Sequence, residues 1–258
     1  MRQQEIILGR AVSGRDITLD LCAPHHLLIT GSTRSGKSAQ LYEILAQCKG
    51  LPVQIAGIDP SGIVFAALGD SLGGGLRVLT LRDAQRCIDV MTEILAEMDN
   101  RIDGLLEQRH DKIDDYTEQT PLMLVVMEEY PGLLAALSAI DTANGSRGKD
   151  KAETQIKAAV QRIAMEGAKV GIRLVLLAQR ADAVILGGAL RAQLTARLTF
   201  RTDADGARML HESIEPEQIE AMARFSPGVG YIEVAGVQEL EQYRADYISY
   251  ADLVRLFS

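Results

Sequence analysis

Aromatic residues are scarce in this chain of 258 residues, at 4%, and tryptophan is absent. Stacking platforms for single-stranded nucleic acid and aromatic sugar-binding clefts depend on such side chains, so the composition argues against both. No apolar run approaches the roughly 20 residues that span a bilayer, and the first residues lack the apolar core of a signal peptide. We therefore expect a soluble, cytoplasmic protein that does not insert into a membrane and reaches one only through a partner.

Cysteine and histidine are few, and positive charge does not exceed negative charge. Cys22, Cys48 and Cys87 are odd in number, far apart and without a C-x-x-C pair, which argues against a disulfide framework or a zinc site and favours a reducing compartment. The four histidines form no H-E-x-x-H pattern. Lys plus Arg number 27 against 35 Asp plus Glu, a formal charge of −8. Binding to nucleic acid would therefore need a local basic patch, such as a ring or groove provides.

Apolar runs alternate with helical patterns along the chain. Hydrophobic residues make up 47% and charged residues 24%, an ordinary globular balance that rules out a disordered chain. The alternation predicts an α/β fold with a mostly parallel central sheet and helices on both faces. Without a repeat or a clear linker, we expect one domain over residues 1–258. Strands are predicted in HLLIT, PVQIAGID, LRVLTL, PLMLVVM, IRLVLLA, ARLTFRT, GVGYIEV and YRADYI.

Helical periodicity is strongest from Asp83, where apolar residues recur every three or four positions as far as Leu105. Further helices are predicted before Gly50, from about Ala152 to Lys169, and from Tyr250. Two polar stretches are predicted to be loops, namely Arg109–Thr120 and Asp141–Lys151.

One segment carries a complete phosphate-binding pattern. Residues 31–38, GSTRSGKS, match G-x-x-x-x-G-K-[ST], between a predicted strand and a predicted helix. The two glycines let successive N–H groups face phosphate oxygens, and the helix adds its positive N-terminal end. Lys37 would bridge the β- and γ-phosphates of ATP, and the Ser38 hydroxyl would ligate Mg²⁺. This context favours an ATP site over a chance glycine-rich turn; its residues are Gly31, Ser32, Thr33, Arg34, Ser35, Gly36, Lys37 and Ser38.

Two carboxylates follow the apolar strand PLMLVVM. Glu128 and Glu129 come directly after Met127, and ligands in open α/β sheets bind beyond the carboxyl ends of the strands. We assign Glu128 to the magnesium shell and Glu129 to the polarisation of the attacking water. The alternative is that both acids begin a solvated helix. Aspartate is the commoner residue in the first position, so Glu128 predicts altered kinetics or metal preference before loss of activity.

The chain resembles the motor domain of the FtsK/SpoIIIE family, within the FtsK–HerA superfamily of P-loop ATPases. The segments that carry the resemblance are GSTRSGKS, IDPS, VVMEEYPGLL, GIRLVLLAQRAD and ARLTFRTDADGARML. The opening LGRAVSGRDITLDL is similar to the stretch before that family's phosphate loop. The resemblance extends from about Leu8 to Leu253 and implies a RecA-like P-loop fold.

Members of that family are ring-forming motors, usually hexamers, that pull double-stranded DNA through a central channel with ATP hydrolysis. The resemblance therefore implies an ATP-dependent translocase for conjugative transfer, genome packaging or segregation. It places Gln179 at the family's sensor position, where an amide contacts the γ-phosphate or the attacking water. The alternative is a polar residue in a turn at the end of a strand.

Two positions depart from the family's pattern. The arginine that acts between subunits falls on Ala168, and arginine fingers contribute 10³–10⁵ in rate, so another cation would have to replace it. Lys169 and Arg162 are the first candidates, and Arg197 and Arg201 are further ones. The second departure is a serine at position 61, where the family often has lysine.

The family's membrane-spanning segment, long linker and DNA-orienting winged-helix domain are not found in this sequence. We therefore expect a bare motor that works with a separate membrane or DNA-orienting partner, as suits a mobile element or a virus.

Two loops have the character of DNA-facing segments, because exposed Lys and Arg contact phosphates without reading sequence. Both loops also contain acids, so the alternative is that they are ordinary solvated loops. The first loop, Glu107–Tyr116, has Arg109, His110 and Lys112, and the second, Asn144–Lys151, has Arg147, Lys149 and Lys151.

Two other functions compete with DNA translocation. One is a motor with a protein substrate, like the ATPase modules of type VII secretion systems. The other is a nucleotide-binding regulatory protein with weak hydrolysis, which would fit Glu128 and the missing arginine. Stimulation of ATP hydrolysis by duplex DNA separates the three.

Overall fold

The computed structural model describes residues 4–179 and 186–258, and their packing forms two compact units. The central unit contains Pro52–Leu176, and the P-loop unit contains residues 4–51 and the described part of 177–256. The expectation that the whole chain is one domain stays a prediction. No described helix combines the length and the apolar character that crossing a membrane requires.

The described residues contain strands and helices throughout both units. The strands are β1 (Glu5–Ala11), β2 (Asp16–Asp20), β3 (Leu27–Thr30), β4 (Val53–Asp59), β5 (Arg77–Leu79), β6 (Leu122–Met127), β7 (Ile172–Ala178), β8 (Ala196–Phe200), β9 (Val229–Val234) and β10 (Gln238–Ala245). The helices are α1 (Lys37–Gln47), α2 (Ile63–Leu68), α3 (Ala84–Gln108), α4 (Tyr130–Asn144), α5 (Ala152–Glu166), α6 (Gly188–Gln193), α7 (Ala204–Leu210), α8 (Pro216–Ala223) and α9 (Tyr250–Phe257).

The central unit has strand order β7-β6-β4-β5, and its pairs are parallel. All residues of β6 and β7 are buried, as expected for strands covered on both faces. The side chain of Asp83 accepts a hydrogen bond from Gln85 N and so starts α3, which buries a stripe of residues that includes Met91 and Met98. The apolar periodicity of the sequence is therefore confirmed for this helix.

The P-loop unit has strand order β2-β1-β10-β9-β8-β3. Strand β3, which precedes the phosphate loop, is parallel to β8. The other pairs are antiparallel, including the β1–β2 hairpin, for which the sequence predicted no strands. The predicted strand YRADYI is wrong in extent: β10 begins at Gln238 and ends at Ala245. Only Tyr243 is buried in it, so its alternation of apolar and polar residues is weak.

Two predicted boundaries in the central unit are also wrong. The loop expected at Asp141–Lys151 begins later, because α4 continues to Asn144 and ends at Gly145 in a left-handed conformation. The helix expected as far as Lys169 ends at Glu166 and continues as a 3₁₀ turn over Gly167–Val170.

Candidate nucleotide site

The phosphate loop connects the buried strand β3 to α1, as the sequence predicts. Gly31 and Gly36 have φ angles of 147° and 121°, which L side chains rarely adopt. A Cβ atom on Gly31 would lie 2.6 Å from Ser35 Oγ, and one on Gly36 would lie 2.9 Å from Gly228 N. Both positions therefore require glycine for the loop to close.

Lys37 is buried at the start of α1. Its Nζ donates to the carbonyl oxygens of Gly31, at 2.5 Å, and Ser32, at 3.4 Å. The ammonium charge is thereby held inside the loop, where it can meet the β- and γ-phosphates of a nucleotide.

Ser35 supplies an independent test of whether the loop fits an anion. Its Oγ is buried and has no hydrogen-bond partner among the described residues. A buried hydroxyl without a partner is costly, so this atom is suited to a polar ligand. Ser38, one residue into α1, is exposed and offers the hard oxygen that Mg²⁺ prefers. The loop thus fits a triphosphate and its magnesium ion.

Residues that follow β8 in the same chain form hydrogen bonds with the phosphate loop. Ser32 N donates to Arg201 O at 2.7 Å, and Arg201 Nε donates to Ser32 Oγ at 3.4 Å. Gly228 N donates to Ser35 O at 2.8 Å. The sequence named Arg201 only as a candidate to act between subunits, whereas the structure places it against its own phosphate loop.

Gln179 lies beside the same loop. It follows β7 and is exposed, and its Oε1 accepts a hydrogen bond from Thr33 Oγ1 at 3.4 Å. The proposed sensor and the phosphate loop are therefore in contact. The last three residues of the segment GIRLVLLAQRAD, 180–182, lie outside the described residues.

A series of hydrogen-bonded, mostly buried side chains, which the sequence does not indicate, ends at Thr30, directly before the phosphate loop. His211 is fully buried at the end of α7; its Nδ1 lies 2.7 Å from Glu233 Oε2 and its Nε2 lies 2.8 Å from Thr199 Oγ1. Thr30, the residue before Gly31, donates its hydroxyl to Thr199 Oγ1 at 3.3 Å. The hydrogen bond with His211 holds the pKa of the Glu233 carboxyl below its usual range, although burial acts in the opposite direction.

Glu128 and Glu129 follow β6, in the central unit. Glu128 N donates to Ile58 O at 3.0 Å, which continues the pairing of β6 with β4. Glu129 has φ 46° and precedes α4, whose Leu133 N donates to the Glu129 carbonyl. Few residues other than glycine adopt this left-handed conformation, and such strained positions cluster at functional sites. The prediction that both acids follow the end of a buried strand is confirmed; their catalytic roles stay predictions.

The serine at position 61 has a local structural role. Asp59, fully buried at the end of β4, accepts hydrogen bonds from Ser61 Oγ at 2.7 Å and Ser61 N at 3.0 Å. The second oxygen of Asp59 accepts from Val64 N at 2.8 Å and Phe65 N at 3.3 Å. One oxygen of Asp59 thus caps the first turn of α2, and the other is satisfied by Ser61.

The candidates for the missing intersubunit arginine differ in their surroundings. Arg162 donates to both carboxylate oxygens of Asp99 and to Glu166. The hydrogen bond with Asp99, which has the larger effect, and the one with Glu166 both raise the pKa of Arg162. Lys169 lies in the 3₁₀ turn beside Ala168, and its carbonyl accepts from Ile113 N at 2.9 Å. Arg162 would have to leave two carboxylates to act on a neighbour, so Lys169 is the better candidate.

The first predicted DNA loop is held at one end. Helix α3 ends at Gln108, and the next residue, Arg109, has φ 56°. Tyr116 packs against Gly171, where a Cβ would lie 2.3 Å from the Tyr116 ring. Arg109, His110 and Lys112, which precede Tyr116, are exposed, and Lys112 Nζ lies 3.0 Å from Asp114 Oδ1.

The second predicted DNA loop is closed by one side chain. Asp141 is buried and accepts from Ala152 N at 2.9 Å and Glu153 N at 3.0 Å, so a residue of α4 caps α5. Arg147 and Lys149 are exposed on the segment between these helices. The two cations are therefore presented on a short, anchored loop.

The fold resembles those of solved P-loop ATPases. The pCW3 conjugation coupling protein TcpA, in its monomer form with ATPgS, superposes with a TM-score of 0.73 at 20% identity, over 100% of this chain and 71% of that one. The cytoplasmic domain of the Thermomonospora curvata type VII secretion ATPase EccC superposes with a TM-score of 0.72 at 21% identity. The match covers 99% of this chain and 31% of that one. These likenesses confirm the predicted α/β, RecA-like fold.

Sequence comparison gives the family. The DNA translocase FtsK of Helicobacter pylori (strain ATCC 700392 / 26695) is 28% identical over 219 residues, which cover 80% of this chain and 24% of that protein. The chain thus spans about a quarter of the length of this relative. The model of the FtsK/SpoIIIE family matches residues 2–224. With most of its length matched, the chain belongs to the FtsK/SpoIIIE family of P-loop ATPases.

Proposed function

We propose that this protein is an ATP-hydrolysing motor that translocates double-stranded DNA as a hexameric ring. The observation that carries the proposal is the phosphate loop: Lys37 is held inside it and the buried Ser35 hydroxyl has no partner among the described residues. Family membership and the DNA translocase named among its relatives support DNA as the substrate.

The residues of the loop would bind ATP by complementary charge. Backbone N–H groups at the start of α1 and the Lys37 ammonium face the phosphates, and Ser38, with Glu128, would hold Mg²⁺. The ion, when bound, neutralises negative charge on the β- and γ-phosphates. Glu129 would accept a proton from the attacking water, and Gln179 would orient that water and transmit the change through Thr33.

In the proposed ring, each subunit would supply a cation to the ATP site of its neighbour, and loops from all subunits would surround the DNA. Ala168 cannot act as an arginine finger, so Lys169 of one subunit would approach the phosphates bound by the next. The exposed loops with Arg109, Lys112, Arg147 and Lys149 would line the bore and contact DNA phosphates without sequence preference. The motor would work in the cytoplasm, in conjugative transfer, genome packaging or segregation, with separate proteins that anchor it or orient it on DNA.

ATP turnover with and without long duplex DNA tests this proposal. We expect DNA to stimulate the parent protein, Lys37→Ala to lose tight nucleotide binding, and Glu129→Gln to bind nucleotide without turnover. Lys157→Ala, at an exposed lysine of α5, and Glu118→Gln, at an exposed acid, are matched controls. Both should retain nucleotide binding and ATP turnover. A turnover that does not respond to DNA would contradict the DNA-translocase proposal.

Protein translocation is the second candidate, because the type VII secretion ATPase EccC shares the fold at nearly the same TM-score as TcpA. That function predicts turnover that responds to a polypeptide substrate and not to duplex DNA. A regulatory protein predicts nucleotide binding with negligible turnover under both conditions.

A further inference from the structure

Four side chains behind the phosphate loop are joined by three hydrogen bonds. Glu233 Oε2 lies 2.7 Å from His211 Nδ1. Thr199 Oγ1 lies 2.8 Å from His211 Nε2 and 3.3 Å from Thr30 Oγ1. His211, Thr199 and Thr30 are buried, and all four residues belong to the P-loop unit. We call Glu233, His211, Thr199 and Thr30 the His211 relay.

The first bond determines which nitrogen of His211 carries the proton in the neutral ring. An ionised carboxylate has only acceptor oxygens. The hydrogen bond with His211, which outweighs burial, holds the pKa of the Glu233 carboxyl below its usual range, so this carboxyl is ionised at neutral pH. An unprotonated Nδ1 would place a lone pair against a negative oxygen at 2.7 Å. The neutral ring is therefore protonated at Nδ1, and its Nε2 is an acceptor.

The acceptor at Nε2 determines the direction of the other two bonds. Thr199 has one hydroxyl proton, and in the neutral state it donates this proton to His211 Nε2. The lone pairs of the Thr199 oxygen then accept the hydroxyl proton of Thr30. Each donor of the relay is thus used once, and every bond runs from Thr30 towards Glu233. A proton on Nε2 would take away the acceptor that the Thr199 hydroxyl uses.

The relay ends where the phosphate loop begins. Thr30 is the last residue of β3, and it pairs with Thr199 of β8. The next residue, Gly31, has the carbonyl that accepts from Lys37 Nζ. A Cβ atom on Gly31 would lie 2.8 Å from the Cβ of Phe200, which follows Thr199. The relay therefore joins β3 and β8 by their side chains directly before the carbonyl that holds Lys37.

We propose that neutral, Nδ1-protonated His211 is a positioning residue for ATP binding, which acts through Thr199 and Thr30 to hold the start of the phosphate loop in its binding conformation. The assignment rests on the proposed function, because it concerns ATP bound at this loop. It predicts that the relay contributes to ATP affinity and leaves the hydrolytic step unchanged.

Nitrogen NMR of the full chain with isotope-labelled histidine tests the protonation of His211. Two-bond nitrogen–proton correlations, recorded at about pH 8, distinguish a ring protonated at Nδ1 from one protonated at Nε2 or at both nitrogens. The His211→Phe variant lacks one of the four histidine signals and so identifies it. We expect a proton on Nδ1 alone. A proton on Nε2 would overturn the direction of the relay and with it the proposal.

Two substitutions of Thr199 test the contribution to ATP affinity. Thr199→Val has a similar shape but no hydroxyl, and we expect it to weaken ATP binding about fivefold, the effect of one hydrogen bond. Its kcat at saturating ATP should stay within about twofold of that of the parent. Thr199→Ser keeps the hydroxyl and should restore the affinity to within about twofold. Calorimetric titration and steady-state turnover measure the two quantities.

Further variants separate positioning from a general loss of stability. Ser61→Ala removes a buried hydrogen bond in the central unit and should leave ATP affinity unchanged. Thr30→Val breaks the last bond of the relay, so it should weaken ATP binding even if Thr199→Val does not fold. His211→Phe combined with Thr199→Val should weaken ATP binding no more than the larger single effect, because both break the same relay. Additive losses would overturn the proposal.

ATP binding by the parent separates failure of this role from failure of the proposed function. If the parent binds ATP and Thr199→Val binds it equally tightly, the positioning role is wrong and the proposed function stands. A fall in kcat at unchanged ATP affinity would overturn the positioning role in the same way. If the parent does not bind ATP, the proposed function and the positioning role are both wrong.

Discussion

Thr33 Oγ1 donates a hydrogen bond to Gln179 Oε1 across 3.4 Å, which joins the phosphate loop to the residue that follows β7. A side chain on the loop is thus in contact with the amide proposed to sense the γ-phosphate.

Replacement of Gln179 by alanine should slow ATP hydrolysis while nucleotide binding is retained. The amide is proposed to orient the attacking water, and loss of one such polar contact reduces turnover roughly 10²-fold. Steady-state turnover and the dissociation constant for ATP measure the two effects. Gln193→Ala, at an exposed glutamine of α6, should change neither. An equal loss of affinity and turnover would indicate that Gln179 serves binding alone.

Arg201 should favour ATP over ADP. Its Nε donates to Ser32 Oγ, so the guanidinium lies at the phosphate loop of its own chain. A cation there gains more from the additional charge of a γ-phosphate, and we expect Arg201→Ala to lower the ATP/ADP affinity ratio by roughly tenfold. Arg201→Lys should retain part of the preference, and Arg224→Ala, an exposed arginine elsewhere, all of it. Comparison of the two dissociation constants in each variant measures the ratio.

The sequence predicted most of the phosphate loop and little of what supports it. G-x-x-x-x-G-K-[ST] assigns chemistry to each position because the loop is local in the chain. The contact of Ser32 with Arg201 and that of Ser35 with Gly228 join residues more than 150 positions apart, and no periodicity indicates such pairs. The buried polar chain through His211 also joins distant residues, so the sequence pattern does not indicate it.

The predicted elements show the same contrast. Fully buried strands such as β6 and β7 were found because they are continuous apolar runs. Strand β10 buries only Tyr243, and the alternation of β1 is broken where Leu8 and Gly9 are both buried, so the polar residues of these two strands resemble loops. Helix α4 continued into a segment rich in small polar residues because Gly145, and not Asp141, ends it.

Ser61 should contribute to stability through Asp59. Loss of its hydroxyl in Ser61→Ala removes one of the hydrogen bonds to a buried carboxylate, which should lower the free energy of unfolding by about 1.5 kcal/mol. Ser13→Ala, at an exposed turn, should change it by less than about 0.5 kcal/mol. Chemical denaturation measures both. An unchanged stability in Ser61→Ala would mean that the backbone donors at Ser61, Val64 and Phe65 are sufficient for Asp59.

The loop with Arg147 and Lys149 should contribute to DNA affinity through phosphate contacts. Each contact releases counterions, so Arg147→Ala combined with Lys149→Ala should reduce the slope of log affinity against log salt by about 1.8. The double variant Arg10→Ala, Arg224→Ala removes the same charge at other exposed positions and should leave the slope unchanged. Fluorescence anisotropy of a labelled duplex over a salt series measures it. Equal slopes in both double variants would indicate an ordinary solvated loop.

Glu233 should make stability depend on acid pH. The hydrogen bond with His211 lowers the pKa of Glu233 in the folded state, so the unfolded state binds the proton more readily and the carboxylate favours folding above its unfolded pKa of about 4.3. This contribution is lost as the pH falls through the lower, folded pKa. The parent should therefore be more stable than Glu233→Gln at pH 7, and the difference should shrink as the pH falls below about 4.3. Denaturation of both proteins between pH 7 and pH 3 measures this, with Glu217→Gln, an exposed acid on α8, as the control. A difference that stays constant over this range would mean that Glu233 contributes through its shape and not through its charge.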